Sequence, residues 1–289
     1  MQKTHVVAEG AHRRVHAPAR LRIGSEEHKQ LFCRTFLDSH AVYEPRDLPW
    51  PQLDEQSIAF LRSIPVWTLA LEVEVNAGLM LDDFAATQND ELIAQAISLQ
   101  AYEEARHGRL LDELIERYGL SAGDVHPSAD RSREAFVVFG YNECLDSFLG
   151  FGIFRLACET RIVPQALTML FERVMIEEAR HIVFFVNWIA YDRCKRGLSA
   201  SALQTVPVAM GYLGALKKTL GRARHTASAD KGIAAAGDVF AGLTLHGLLK
   251  TCLDEERRYM AAFDPRLLRP RVIPSMARAI CAIAGVLQR

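Results

Sequence analysis

One five-residue string occurs twice in this chain, as Glu103-Glu104-Ala105-Arg106-His107 and as Glu177-Glu178-Ala179-Arg180-His181. In a helix, residues i and i+3 lie about one turn apart on one face. Glu104 can therefore aim at the same point as His107, and Glu178 at the same point as His181. Two such helices facing one another offer two imidazoles and two carboxylates to a common centre. A two-metal carboxylate centre in a helical bundle is built this way, with one further Glu from each of two more helices.

Both further carboxylates are available. In LALEVEVNAG the candidates are Glu72 and Glu74, which lie about 200° apart around a helix, so only one faces the centre. Glu74 is preferred: Ala70, Ala77 and Gly78 leave room around it, and it lies thirty residues before Glu104. In YNECLDSFLG, Glu143 and Asp146 share a face, and Glu143 stands thirty-five residues before Glu178. The expected metal ligands are thus Glu74, Glu104, His107, Glu143, Glu178 and His181, with Glu72 and Asp146 as alternatives.

Charge makes the same point. Four carboxylates converging in an apolar interior would each cost several kcal/mol without a counter-charge. Two divalent cations neutralise them. Oxygen and imidazole donors without thiolate suit iron or manganese rather than structural zinc. Glu103 and Glu177 could accept the free ring N–H of a ligating histidine, across to the opposite hairpin, with Arg106 and Arg180 pairing those carboxylates. An exposed i, i+3 ion pair is the competing account of these four residues.

The elements that must position these residues are helices. Ser25 is placed to cap a short helix, and Pro45, Pro49 and Pro51 mark a link. Asp54 caps a helix that Pro65 interrupts, and a long segment follows from about 66 to 86. The next helix opens at Asn89 and Asp90 and stops at Gly119. After a loop over 121–130, helices are expected over about 131–160 and from Pro164 to Gly197. Further helices are expected over about 200–224, 231–262 and 271–287. Apolar residues fall at helical spacing, so no strand is expected. The fold class is all-α: a four-helix bundle over about 66–195, with additional N- and C-terminal helices. Residues 1–50 read as a basic arm and short helix, and 51–289 as one helical domain. Phe184, Phe185 and Trp188 form a stripe expected in the core.

The pattern E…E-x-x-H…E…E-x-x-H resembles the ferritin-like di-iron carboxylate superfamily, in its oxygen-activating branch. That branch includes bacterial monooxygenase hydroxylases, ligand-binding oxidases and N-oxygenases. Glu74-Val75-Asn76-Ala77 is similar to the Glu-Tyr-Asn-Ala of methane monooxygenase hydroxylases, which favours Glu74 over Glu72. Reductase small subunits place a radical tyrosine where this chain has Leu111. Arylamine N-oxygenases add a histidine where Val174 stands. Monooxygenase hydroxylases carry a threonine at the position of Ser147, whose hydroxyl the resemblance casts in a catalytic role, assisting proton delivery to bound oxygen.

The resemblance implies two Fe ions, or a Mn/Fe pair, and no organic cofactor. It implies an O2-dependent oxidoreductase that hydroxylates, N-oxygenates, desaturates or cleaves a small organic substrate. Electrons would come from an external ferredoxin or reductase, because no flavin, nicotinamide or cluster motif is present. Two alternatives share the fold: a tRNA-type hydroxylase and a ferroxidase or iron store.

Composition narrows the classes. The formal net charge of -1 gives no signal for nucleic acid. Basic residues do cluster, at Lys3, Arg13, Arg14, Arg20 and Arg22, and again at Lys217, Lys218, Arg222, Arg224, Arg266, Arg269 and Arg271. These are expected to be solvated surface, with the later cluster a candidate landing place for the electron donor. No apolar core follows the N-terminal charges, so no signal peptide is expected. No apolar run is long enough to span a membrane. The six cysteines form no CxxC pair, which suits reduced thiols and a cytoplasmic location. A homodimer is allowed for. His5, His12, His16, His28, His40, His126 and His225 are expected at the surface, and His246 is a distant candidate for reaching the site.

Overall fold

The computed structural model describes residues 21–64, 66–125, 132–160, 163–198 and 244–287. Residues 126–131, which include the second half of the loop expected over 121–130, together with Pro65, most of the N-terminal arm and the expected helix over 200–224, lie outside the described residues. So do the first basic cluster except Arg22, Lys217 to Arg224, and His5, His12, His16, His126 and His225.

Eight α-helices and no strand occur among the described residues. They are α1 (Glu26–Asp38), α2 (Glu55–Ser63), α3 (Trp67–Ala86), α4 (Glu91–Tyr118), α5 (Arg133–Thr160), α6 (Gln165–Lys195), α7 (Leu245–Met260) and α8 (Val272–Leu287), with a 3₁₀ turn over Pro45–Asp47. The fold is an all-α bundle with extra helices at both ends.

Local chemistry sets the boundaries. Ser25 Oγ accepts from His28 N, Asp54 from Ser57 N, and Asp90 from Leu92 N and Ile93 N. Each satisfies amides that a first turn leaves without partners. Gly119 closes α4 with φ 57°, a left-handed conformation that glycine adopts without strain. The helix expected over 231–262 is described from Leu245, where Thr244 caps α7.

α3 and α4 form one hairpin and α5 and α6 the other. Gly78 lets α3 approach α4 closely, since a β-carbon there would stand 3.3 Å from Ala101 O and Ala105 N. Gly152 does the same between α5 and α7: its β-carbon would fall 2.3 Å from Cys252 Sγ. α1 lies against α6 and α4, sending Phe32 and Phe36 into the core beside Phe184. Phe184, Phe185 and Trp188 are buried as expected.

Two apolar clusters result. The larger joins α1, the C-terminal half of α3, the start of α4, α5, the C-terminal half of α6 and the C-terminal helices. The smaller gathers Leu61, Leu114, Tyr118, Leu120, Leu167 and Leu170 at the other end. In α4 and α6 the repeated motifs fall between these clusters, so a polar layer crosses the bundle where the apolar packing divides. No described helix is long and apolar enough to cross a membrane. The cysteines among the described residues are free thiols.

Candidate metal centre

α3, α4, α5 and α6 each deliver acid or imidazole groups to that layer. Glu74, Glu104, His107 and Glu178 offer ligand atoms that all lie within 4.8 Å of one another. Glu104, Glu143, Glu178 and His181 do the same. The two groups share Glu104 and Glu178. The arrangement is therefore two adjoining groups that could each hold a metal ion, with two common carboxylates, each completed by one glutamate and one histidine. Glu72 and Asp146 stand outside both groups, as does His246.

The outer arms cross between hairpins. His107 Nε2 lies 2.8 Å from Glu177 Oε2, and His181 Nε2 lies 2.9 Å from Glu103 Oε2. Arg106 Nη2 donates to Glu177 Oε1 at 2.6 Å, and Arg180 Nη1 donates to Glu103 Oε1 at 2.9 Å. Both guanidinium groups are buried, so the exposed i, i+3 pair is overturned for these four residues. Each motif thus holds the other's histidine. In a neutral imidazole whose Nε2 donates to a carboxylate, Nδ1 is left with the lone pair that a cation would take.

Those two Nδ1 atoms are the test of fit. Both are buried, and neither makes a hydrogen bond. Yet His107 Nδ1 lies 3.3 Å from Glu178 Oε1, 3.5 Å from Glu74 Oε2 and 3.7 Å from Glu104 Oε2. His181 Nδ1 lies 3.0 Å from Glu104 Oε1 and 3.7 Å from Glu178 Oε2. Each Nδ1 thus has two or three carboxylate oxygens within 3.7 Å and forms a hydrogen bond with none of them. Buried Glu and His groups so placed could hold a metal ion, and oxygen and imidazole donors suit iron or manganese.

Protons compete for the same positions. Burial pushes the Glu74 carboxyl up to about 8, against the pull of His107. Glu143 is driven well above the carboxylate range by burial and by the charges of Glu178 and Glu104. Burial opposes charge on His107 and His181, but the carboxylates around them prevail and hold both imidazoles well above their ordinary range. Burial likewise opposes ionisation of Glu104 and Glu178, yet the two histidines keep both below it. Two glutamates and two histidines thus retain protons that cations would displace.

Two members of the outer arms have no signal in the repeats. His40 Nδ1 lies 2.6 Å from Glu103 Oε1, and Tyr43 Oη donates to Glu177 Oε2 at 3.2 Å. The link from α1 to the 3₁₀ turn thereby braces both arms. Tyr43 also lies under the Arg106 guanidinium, 4.0 Å from ring centroid to Cζ. The expectation of a surface His40 is corrected: it is half-buried, because its ring turns inward to Glu103, as a third partner beside Arg180 and His181. His28 is corrected too. It is fully buried, with Nε2 3.0 Å from Asn187 Oδ1, because the His28 face of α1 packs on α6. Ser147 Oγ is buried and donates to Glu178 Oε2 at 3.4 Å.

No protein-family model, curated protein or solved structure matches this chain.

Proposed function

We propose that the chain is a non-haem di-iron oxidoreductase of the ferritin-like, oxygen-activating kind. Glu74 and His107 would hold one ion, Glu143 and His181 the other, and Glu104 and Glu178 both. Bound there, two iron ions would supply the electron transfer to dioxygen that no side chain can. The observation that carries this reading is the pair of buried, unsatisfied Nδ1 atoms facing two overlapping carboxylate groups.

The chain's own residues supply orientation and proton control. Glu177 and Glu103 fix the ring faces of His107 and His181, and Arg106 and Arg180 fix those carboxylates. Ser147 holds a hydroxyl proton against Glu178, next to where a substrate would react. The product would be a hydroxylated, N-oxygenated, desaturated or cleaved organic molecule, with electrons from an external ferredoxin or reductase.

Anaerobic loading with Fe(II), followed by exposure to O2 with a ferredoxin and its reductase, tests the proposal. Two irons per chain and repeated reductant-dependent O2 uptake are expected. A large cage taking up many irons per chain would replace it with iron storage. A two-iron protein that consumes no O2 would end the oxygenase reading.

A further inference from the structure

α8 turns only part of its surface to the bundle. Ile273 and Ala277 join the larger core, and Val272 and Cys281 pack against it. One edge of the outward arc is apolar: Met276 is 42% exposed, Ile280 41% and Ile283 63%. Their i, i+4 and i+7 spacing stacks them in one stripe along the helix. Leu245, 64% exposed at the start of α7, stands near the same end of α8, since Cys281 Sγ lies 4.0 Å from His246 O.

Charge around the stripe has one sign. Between positions 265 and 289 the chain carries Arg266, Arg269, Arg271, Arg278 and Arg289 and no Asp or Glu, although its formal net charge is -1. Asp264 pairs with Arg266 at 2.6 Å, and Glu256 of α7 lies near Arg278 and Arg269. Arg271 meets no carboxylate among the described residues. Helix register sets Arg271 and Arg278 on one edge of the outward arc and the apolar stripe on the other. Ser275, Ala279 and Ala282, all exposed, lie between them. Arginine stems are long enough to carry their charge sideways to the plane of the stripe.

We infer that α8 docks on an anionic lipid surface, its apolar stripe entering the headgroup boundary and its arginines meeting lipid phosphates. The 16-residue helix is about 24 Å long, short of a bilayer core of about 30 Å, so it lies along the interface. An apolar edge beside a cationic edge, without acids, is the composition of an interfacial helix. Pairing with a second copy suits this face less well. A two-fold contact would set Arg271 and Arg278 against an equally acid-free surface. Three exposed side chains on one helix also fall far short of the roughly 20 residues a side that a stable interface uses. No expected metal ligand lies on α8, so the face is independent of the metal layer.

Co-sedimentation of the full chain with lipid vesicles tests the inference. One set is phosphatidylcholine alone, the other an equal mixture of phosphatidylcholine and phosphatidylglycerol. Binding to the mixture should be about tenfold tighter or more, and should weaken as salt rises. Ile283→Asp should lower it by about tenfold or more, and Arg271→Ala by about fivefold. Met169→Ser, which removes an equally exposed apolar side chain on α6, should stay within about twofold. All three positions are exposed, so Tm should hold within about 2 °C. Equal binding to both vesicle types, no binding, or an Ile283→Asp chain that binds like its parent would overturn the lipid face. A dimer in sedimentation velocity that Ile283→Asp dissociates would give the face to a second copy. Retention on immobilised ferredoxin, lost in Arg271→Ala and unaccompanied by vesicle binding, would give it to an acidic protein.

Discussion

Arg106→Met probes the crossed arms at their most buried point. Arg106 is 0% exposed, bonds Glu177 at 2.6 Å and Ala41 O at 2.8 Å, and covers the Tyr43 ring. Removing it leaves Glu177 buried with only His107 and Tyr43 as donors. Breaking one partner of a buried pair costs about 3–5 kcal/mol. At roughly 2–4 °C per kcal/mol for a chain of this size, Tm should fall by roughly 6–20 °C. Because Glu177 orients His107, Co(II) affinity should also fall, by about 10–100-fold. Arg117→Ala, which removes an exposed partner of Glu113, should cost no more than about 0.5 kcal/mol. The double variant Arg106→Met/Glu177→Leu should recover much of the stability but none of the metal affinity. Urea unfolding and Co(II) titration measure both quantities. A loss below about 1 kcal/mol with Co(II) affinity within twofold would refute the positioning role.

Two further outcomes follow from the same geometry. The Glu74 carboxyl has a raised folded-state value, about 8 against an unfolded 4.5, so the folded chain holds its proton more tightly. That contribution is complete below about 4.5 and is lost as pH rises to about 8. Tm of the metal-stripped protein should fall across that window, and Glu74→Gln should flatten the slope; an equal slope in the variant would contradict the assignment. Gly152→Ala places a methyl 2.3 Å from Cys252 Sγ and 3.0 Å from Cys252 N and Cα, so α7 must shift away from α5. Thermal unfolding should show a loss of about 1–3 kcal/mol, with Gly150→Ala neutral or slightly stabilising.

The helices were legible because their signals are local. Ser25, Asp54, Asp90 and Gly119 terminate helices by chemistry that acts within four residues. The Glu-x-x-His spacing places acid and imidazole on one face whatever lies opposite, and the small residues around Glu74 mark the face that α4 approaches. Glu143 emerges from its register with Glu178, and Asp146, which shares its face in sequence, falls outside both ligand groups.

What escaped is long-range. His40 and Tyr43 sit in a link without periodicity, and nothing near them shows that Glu103 and Glu177 lie across from it. The burial of His28 depends on Asn187, 159 positions away, and on Leu268, whose N–H and C=O the same asparagine takes. The crossing of each glutamate to the other motif's histidine was anticipated from the chemistry of metal-bound imidazole. The burial of the arginines was not, because arginine beside glutamate in a helix usually marks a solvated face.

Metal content after anaerobic reconstitution tests the central claim most directly. Protein loaded with Fe(II), desalted and measured by plasma mass spectrometry should retain two irons per chain. Loss of both shared ligands, in Glu104→Ala/Glu178→Ala, should leave close to none while the chain stays helical by circular dichroism. Fewer than one iron or manganese per chain in the unmodified protein, or undiminished binding in the double variant, would contradict the account.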